Sequence, residues 1–395
     1  MSMKKLSKKM LAVVAAGAMT MGLAMPAFAA EGSTTQDTKN NAKEAYIKKT
    51  YNTEVNKPMK FNFTATQVTT GAYIVTKGLT CTIPSIEFTS DDLNGGEGTY
   101  TKLSDKITFG DLKEAGKYEY TVTESATTEP AITNNDYVKL IMSKAEYKMD
   151  VYVVEKSGAL EIDKILVTKT KNDKGETDST TGKVDIGNNK DNNGFNFTNT
   201  YVQEAGTGET PDPSNPDPDY TKYGSLNVSK KIDAQDGTPS TTDSFSFTAK
   251  FEFPEGTDAT TLGAKAGEDD LRPGTDGTYT FNLKHNENMK FTGLPVGTKI
   301  TVTEAGAANY KASASVVLNG GDAKIVAADK YHEDLTAVNG ENGEKLGQKK
   351  NTVDVTNTYN YVPTTGIIMN TLPYVLMIAL CGVALFGFVA FKRRR

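Results

Sequence analysis

The sequence is poor in the residues that build metal and redox sites. It has two cysteines, Cys81 and Cys381, two histidines, His285 and His332, and no tryptophan. These counts exclude a histidine-rich metal centre, a CxxC redox motif and a disulfide scaffold. We therefore predict no metal site and no cofactor. Alternating residues around Cys81 predict a strand, in which the thiol would be a small buried apolar group.

Arginine is also scarce away from the ends of the chain. The first 30 and the last 30 residues contain eight of the 44 basic residues and no acid, which leaves 36 Lys and Arg against 49 Asp and Glu between them. Arg272 is the one arginine of that middle region. An acidic surface with so little arginine is a poor partner for nucleic acid, so we predict no nucleic-acid binding.

The N-terminus, residues 1–29, has the features of a signal peptide. A lysine-rich start precedes an apolar run at residues 11–25, which is too short to span a bilayer comfortably. Ala27-Phe28-Ala29 forms a small-x-small cleavage site, so the mature chain is predicted to begin at Ala30. The alternative is an uncleaved membrane anchor.

Three segments follow one another at the C-terminus. Residues 362–366 are Val362-Pro363-Thr364-Thr365-Gly366, residues 367–391 include an apolar run long enough for one membrane span, and residues 392–395 are basic. A basic end of this kind stays on the cytoplasmic side. On the residues alone, the segments predict a type I membrane protein with a short tail.

The pentapeptide resembles the LPxTG sorting signal of surface proteins in Gram-positive bacteria, with Val362 in place of leucine. The resemblance implies a sortase as partner. The sortase cysteine would attack the Thr365 carbonyl, Gly366 would leave, and an amine would take the acyl group. The protein would then be exported, held briefly in the membrane as a precursor, and attached to the cell-wall peptidoglycan.

Between the two ends the pattern is that of an all-β protein. Period-two alternation recurs at residues 60–64, 118–122, 245–249 and 299–303. Many short alternating segments predict β-sandwiches or barrels.

The middle of the chain contains two copies of one pattern. FNFTA at 61–65 matches FSFTA at 245–249, TVTE occurs at 121–124 and 301–304, and TNTY occurs at 198–201 and 356–359. We predict two tandem domains at residues 30–202 and 223–361. Residues 203–222 are rich in Pro and Asp and are predicted to be an extended linker. An ordered calcium-binding loop is the alternative, but the segment lacks EF-hand spacing.

Each copy has a lysine, a glutamate and an asparagine whose side chains point to the same side as the apolar residues of their strands. They are Lys49, Glu124 and Asn199 in the first copy, and Lys230, Glu304 and Asn357 in the second. A single Lys or Glu at a strand end is usually solvated. However, the lysine and glutamate are 75 residues apart in one copy and 74 in the other, and coincidence is the weaker explanation.

These residue types suit one reaction. Burial lowers the pKa of a lysine and raises that of a glutamate, so both tend towards the neutral form. A neutral amine can attack the asparagine carboxamide and expel ammonia. A protonated carboxyl can hydrogen-bond the carboxamide oxygen and move the proton. Glu124 and Glu304 would thus assist a single-turnover reaction of the chain with itself, rather than turn over an outside substrate.

At these residues the chain resembles the streptococcal-type isopeptide-linkage domains of Gram-positive backbone pilins. The likeness lies in LNVSKK at 226–231, LPVG at 294–297 with TE at 303–304, and VTN at 355–357. It implies Ig-like (CnaB-type) sandwiches with Lys49 bonded to Asn199 and Lys230 bonded to Asn357. The first domain is the looser match, and Lys48 is the alternative to Lys49 there.

The sorting signal begins only a few residues after Asn357, whereas a wall protein displayed singly usually needs a long spacer. We therefore expect a pilus in which Thr365 of one subunit is joined to a lysine of the next subunit. The resemblance implies a lysine late in the first domain. The candidates, which the sequence does not separate, are Lys169, Lys171, Lys183 and Lys190. The alternatives are a monomeric wall-anchored adhesin that binds host protein or glycan and, third, an enzyme, for which the sequence shows no catalytic cluster.

Overall fold

The computed structural model describes residues 42–94 and 98–360, and they are built almost entirely of β-strands. The prediction of an all-β chain of β-sandwiches is confirmed. The predicted signal peptide, sorting motif, membrane segment and basic tail lie outside the described residues. Among the residues described, no helix is long and apolar enough to cross a membrane.

Strands β1–β12, which we call the first domain, form two main sheets. The sheet orders are β5-β1-β12-β8 and β11-β10-β9-β7-β2-β4, and β3 and β6 pair separately. The strands are β1 Lys48–Thr53, β2 Met59–Val68, β3 Cys81–Thr82, β4 Ile86–Phe88, β5 Thr99–Leu103, β6 Thr108–Phe109, β7 Gly116–Glu129, β8 Val138–Ile141, β9 Glu146–Lys156, β10 Ala159–Lys171, β11 Gly182–Val184 and β12 Asn196–Gln203.

Strands β13–β23, which we call the second domain, also form two sheets. The orders are β16-β15-β18-β13-β23-β20-β21 and β17-β14-β19-β22. The strands are β13 Leu226–Asp233, β14 Phe245–Glu252, β15 Lys265–Ala266, β16 Asp269–Asp270, β17 Thr278–Leu283, β18 Asn288–Thr292, β19 Lys299–Glu304, β20 Tyr310–Val317, β21 Lys324–Ala327, β22 Leu335–Val338 and β23 Thr352–Tyr359. Two short helices, α1 Pro218–Tyr223 and α2 Ala259–Leu262, and a 3₁₀ turn at Gly340–Asn342 complete the described chain.

In each domain the first and last strands are parallel neighbours. β1 pairs with β12, and β13 pairs with β23. In both pairs the asparagine lies two residues beyond the residue opposite the lysine, because Lys49 faces Phe197 and Lys230 faces Val355. Side chains two residues apart share a face of the sheet. This common register therefore brings lysine and asparagine together on the core side of each domain.

The segment between the domains is packed, and it is not the extended linker predicted from its composition. Residues 203–208 are buried, and the Ala205 and Gly206 amides donate to the Leu294 and Gly347 carbonyls at 2.8 and 3.1 Å. Two acids of this segment have partners. Asp212 pairs with Lys57 at 3.3 Å, and Glu204 accepts from the Tyr220 hydroxyl at 2.5 Å.

The Pro/Asp-rich stretch is a loop that leaves the junction and returns to it. Gly206 has φ near 80°, and a side chain there would meet the Gly224 carbonyl oxygen at 2.4 Å. Only glycine fits such a close approach in this conformation. Because residues 206 and 224 are in contact, the intervening residues add no length between the domains.

Candidate functional site

The lysine of each predicted triad lies in the core because side chains two residues apart along a strand share a face, and the lysine shares its face with apolar residues. Ala45, Ile47, Lys49 and Tyr51 are all fully buried, and so are Val228 and Lys230 in the second domain. An amine that is fully buried requires a charged or hydrogen-bonding partner close by. In both domains that partner comes from the opposite sheet.

In the first domain, Lys49, Glu124 and Asn199 meet between the two sheets. Lys49 Nζ is 2.8 Å from Glu124 Oε1, and the same oxygen accepts a hydrogen bond from Asn199 Nδ2 at 3.0 Å. The side chains of Lys49 and Glu124 are 0% and 1% exposed. The carboxylate therefore contacts the lysine nitrogen and the asparagine amide nitrogen through one atom.

The second domain repeats this arrangement. Lys230 Nζ donates to Glu304 Oε1 and Oε2 at 2.8 and 2.9 Å, and Asn357 Nδ2 donates to Oε1 at 2.6 Å. Glu304 faces Phe247 across the sheet, as Glu124 faces Phe63. All six residues singled out in the sequence are thus brought together, three in each domain.

An aromatic ring lines each site, and no role was predicted for it from the sequence. Lys49 Nζ lies 4.3 Å from the centre of the Phe61 ring, and Lys230 Nζ lies 4.3 Å from that of Phe245. The rings fill equivalent places in the FNFTA and FSFTA repeats. They exclude water from the amine while their π faces tolerate its charge. The repeat was the available signal, because its first phenylalanine recurs with the triad.

Burial shifts both ionisable groups of each triad towards the neutral form. It lowers the pKa of Lys49 and of Lys230 to about 8, against the attraction of the facing glutamate. It raises the pKa of Glu124 and of Glu304 above the ordinary range, although the lysine opposes this. A lysine with such a pKa supplies free amine near neutral pH.

The carboxamide orientation differs from the arrangement expected from the sequence. The expectation was that the glutamate would hydrogen-bond the carbonyl oxygen, but in both domains it contacts the amide nitrogen. In the first domain the Ser143 backbone N–H donates to Asn199 Oδ1 at 2.7 Å. Since a backbone N–H can only donate, this contact fixes the oxygen on the side away from the carboxylate.

Lys48, the alternative to Lys49, is outside the triad. Neighbouring residues of a strand point to opposite faces. Lys48 is half-buried, and the negative charge of Asp191 attracts its amine. Burial lowers its pKa as well. Its position leaves Lys49 as the lysine that reaches Glu124.

The four candidate inter-subunit lysines occupy different environments. Lys169 is mostly buried beside Asp173, and Lys171 pairs with Glu146 at 3.0 Å. Lys183 lies on the short edge strand β11. Lys190 is exposed in the loop before β12 and has no ion pair within the part of the chain that the structure describes.

Cys81 lies on strand β3, as predicted, but it is half-buried rather than fully buried. Desolvation raises the pKa of its thiol to about 12, so the thiol is unreactive near neutral pH.

Comparison with known proteins gives one family match. Residues 224–359 match a family described as a domain of unknown function, DUF7601, which corresponds to the second domain. No curated protein matches the chain.

Solved structures with some likeness include pilus proteins. A major pilin from Streptococcus pyogenes is 20% identical over 80% of this chain and 98% of that one, with a TM-score of 0.30. The major pilin protein T3.2 of the same species is 19% identical over 81% and 99%, with a TM-score of 0.30. A pilus-presented adhesin is 15% identical over 49% and 35%, with a TM-score of 0.24.

Proposed function

We propose that the chain is a structural subunit of a covalently polymerised surface pilus and that each of its domains is closed by a Lys–Asn isopeptide bond formed without an enzyme. The observation that carries the proposal is the repeated geometry of the triads. In two domains of one chain, a buried glutamate oxygen contacts both the lysine amine and the asparagine amide nitrogen.

The geometry supports a balanced reaction. The lysine nitrogen attacks Cγ of the asparagine, and the carbonyl electrons move to Oδ1. The glutamate takes a proton from the attacking nitrogen and delivers it to Nδ2, which leaves as ammonia when the C–N bond breaks. Because the carboxylate contacts both nitrogens, it can accept the proton from one and deliver it to the other without moving. Fixing the three groups in a dry core supplies the effective molarity that a poor leaving group requires.

Mass spectrometry of the intact chain tests the bonds. We expect the loss of one ammonia per domain, with the cross-links Lys49–Asn199 and Lys230–Asn357 recovered as branched tryptic peptides. Glu124→Ala should retain the first ammonia and Glu304→Ala the second. Glu129→Ala, which removes an exposed carboxylate from the same strand as Glu124, is the matched control and should lose both. An unmodified mass for the parent chain would overturn the proposal.

Polymerisation requires a separate test. The sorting signal at residues 362–366 is the support for a sortase, for transfer to the Thr365 carbonyl and for peptidoglycan as the final anchor. In a Gram-positive host, immunoblots of wall extracts should show a ladder of high mass that disappears with Thr365→Ala. A single sortase-dependent band would instead favour the monomeric adhesin.

A further inference from the structure

The two triads differ in what surrounds the carboxamide oxygen. Asn199 Oδ1 accepts the Ser143 backbone N–H at 2.7 Å. Asn357 Oδ1 is buried and has no hydrogen-bond partner within the described part of the chain. When an amine attacks a carboxamide, negative charge develops on this oxygen, and a donor already aimed at it stabilises the transition state. The first domain has such a donor.

Ser143 lies between β8 and β9 and is held by a residue from another part of the chain. Its hydroxyl donates to Asp173 Oδ1 at 2.5 Å, and the Thr198 N–H donates to the same oxygen at 2.9 Å. The Lys144 N–H donates to the Asp173 carbonyl at 2.9 Å. Asp173 therefore joins the Ser143 segment to β12 next to Asn199.

We propose that the Ser143 backbone N–H is the oxyanion donor for bond formation in the first domain and that Asp173 is the residue that positions it. This inference rests on the proposed isopeptide reaction and deepens it. During attack by Lys49, negative charge develops on Asn199 Oδ1, and the Ser143 N–H stabilises it by donating a hydrogen bond. The proton still passes from the lysine through Glu124 to the departing nitrogen, so atoms and charge balance.

The oxygen and the nitrogen of the Asn199 carboxamide contact different groups. Asn199 Nδ2 faces Glu124 Oε1 at 3.0 Å and Met142 Sδ at 3.2 Å, on the side where ammonia forms. Oδ1 faces Ser143 on the other side. The amide cannot flip without pointing its NH₂ group at a backbone N–H, so the reactive orientation is locked before attack.

The experiment follows both bonds in one molecule. The full chain is recovered unfolded from inclusion bodies, refolded by dilution, quenched at intervals and digested. The branched peptides of the two domains are then quantified by mass spectrometry. The second domain serves as an internal control for folding conditions and for recovery.

Two substitutions at position 143 separate the backbone donor from the side chain. Ser143→Pro removes the N–H, and we expect first-domain bond formation to slow by about 100-fold, as for the loss of one oxyanion donor. The rate in the second domain should not change. Ser143→Ala keeps the N–H but loses the hydroxyl that donates to Asp173, so it should slow the first bond less than Ser143→Pro and no more than Asp173→Ala. A first-domain rate equal to the parent rate in a folded Ser143→Pro chain would overturn the inference.

Two substitutions at position 173 test positioning independently of proline. Asp173→Ala removes the acceptor and should slow the first bond, whereas Asp173→Asn keeps an oxygen acceptor and should restore most of the rate. The same pair is compared for thermal unfolding in a Glu124→Ala background, which cannot form the bond. Equal rates of bond formation in the two variants would overturn the inference, even if Ser143→Pro does not fold. So would a loss of rate that is fully explained by a loss of thermal stability.

The outcomes distinguish this inference from the function on which it rests. If neither branched peptide forms in the parent chain, the proposed isopeptide reaction itself fails. If both form and the variants leave the first-domain rate unchanged, only the oxyanion donor fails.

Discussion

A lysine and a glutamate buried together are an unusual choice for the core of a β-sandwich. Taking two charges out of water costs several kcal/mol per ion, and an apolar pair of similar volume often gives a more stable fold. Lys49 with Glu124 and Lys230 with Glu304 carry this cost in both domains. An amide cross-link removes the amine charge altogether. The unreacted site is therefore a high-energy arrangement whose energy is released by the proposed reaction.

The pKa shifts predict how bond formation depends on pH. Burial lowers the pKa of both lysines to about 8, so the fraction of free amine rises as the pH approaches that value from the acid side. At acid pH the glutamate is also protonated and cannot accept a proton from the attacking amine. We expect refolded chains to form the bonds slowly at acid pH, at about half the maximum rate near pH 8, and at a constant rate well above that pH.

Timed quenching and peptide mass spectrometry measure this profile. Circular dichroism at each pH gives the rate of refolding separately. A bond-formation rate that is independent of pH while refolding stays fast would contradict the prediction.

At this scale the sequence was informative about the triads and silent about their surroundings. Strand alternation and the repeats located Lys230, Glu304 and Asn357 because each lies on a regular strand. Ser143 and Asp173 were not predicted, because they lie in connecting segments whose approach to Asn199 depends on tertiary packing. No period or motif marks such a contact in a single sequence.

The pairing of the first strand with the last strand gives the proposed bonds their effect on stability. Each bond would close a loop that includes nearly the whole domain. Loop closure on this scale stabilises a fold by about 5 kcal/mol through the reduced entropy of the unfolded chain.

Asn357→Ala should therefore lower the free energy of unfolding of the second domain by about 5 kcal/mol. Glu304→Gln blocks the same bond with little change in volume and should have a similar effect, which separates loss of the bond from formation of a cavity. Denaturant unfolding, monitored by proteolysis that is specific to each domain, measures the loss of stability in both variants. A decrease below about 1 kcal/mol in either variant, which is the size of an ordinary point mutation, would count against a cross-link.

The junction between the domains makes a second prediction at the element scale. Glu204 is buried there and accepts from Tyr220, Ser225 and the Gly293 N–H. Burial outweighs these donors and raises the pKa of Glu204. An acid with a raised pKa in the folded state stabilises the fold fully below its ordinary pKa of about 4.3, and that stability is lost as the pH rises through the raised value.

Glu204→Gln should therefore flatten the decrease in unfolding free energy from about pH 4 to neutral pH, since the amide oxygen still accepts and does not ionise. Glu209→Gln, on the exposed part of the same segment, is the matched control. Equal pH slopes for the parent and the Glu204→Gln chain would contradict the assignment.

The error over this segment has a physical origin. Proline and aspartate composition predicts mutual repulsion and an extended chain. The structure instead pairs Asp212 with Lys57 of the first domain and the Gly206 amide with the Gly347 carbonyl of the second domain. These partners come from both domains, so composition within the segment carries no information about them.

Strand directions set the polarity of the whole molecule. β12 runs towards the junction and ends there at Gln203, and β23 runs away from it towards Asn360. The loop that carries Lys190 precedes β12 and so lies at the end of the first domain opposite the junction. The C-terminal end of β23 lies at the end of the second domain that is far from the junction. This polarity suits head-to-tail joining of Thr365 to Lys190.

Lys190→Arg should therefore abolish the high-mass ladder while leaving a single anchored band, because arginine keeps the charge and offers no amine nucleophile. Lys171→Arg, in which the lysine is engaged by Glu146, is the matched control and should keep the ladder. Immunoblots of wall extracts give the answer. A full ladder from the Lys190→Arg chain would exclude this lysine.

The loop between Gly206 and Gly224 has a consequence for a fibre under tension. If subunits are joined through Lys190 and Thr365, a pulling force passes along β12, through this loop, into β13 and across the Lys230–Asn357 bond. The loop is then the one stretch between the domains that no cross-link bridges, and its ends are in contact at rest. Fully extended it would span about 60 Å. Each subunit could thus lengthen by a fixed amount when the hydrogen bonds of the junction break, and shorten again when the load is removed. The fibre would then extend under a sudden pull before any covalent bond is strained.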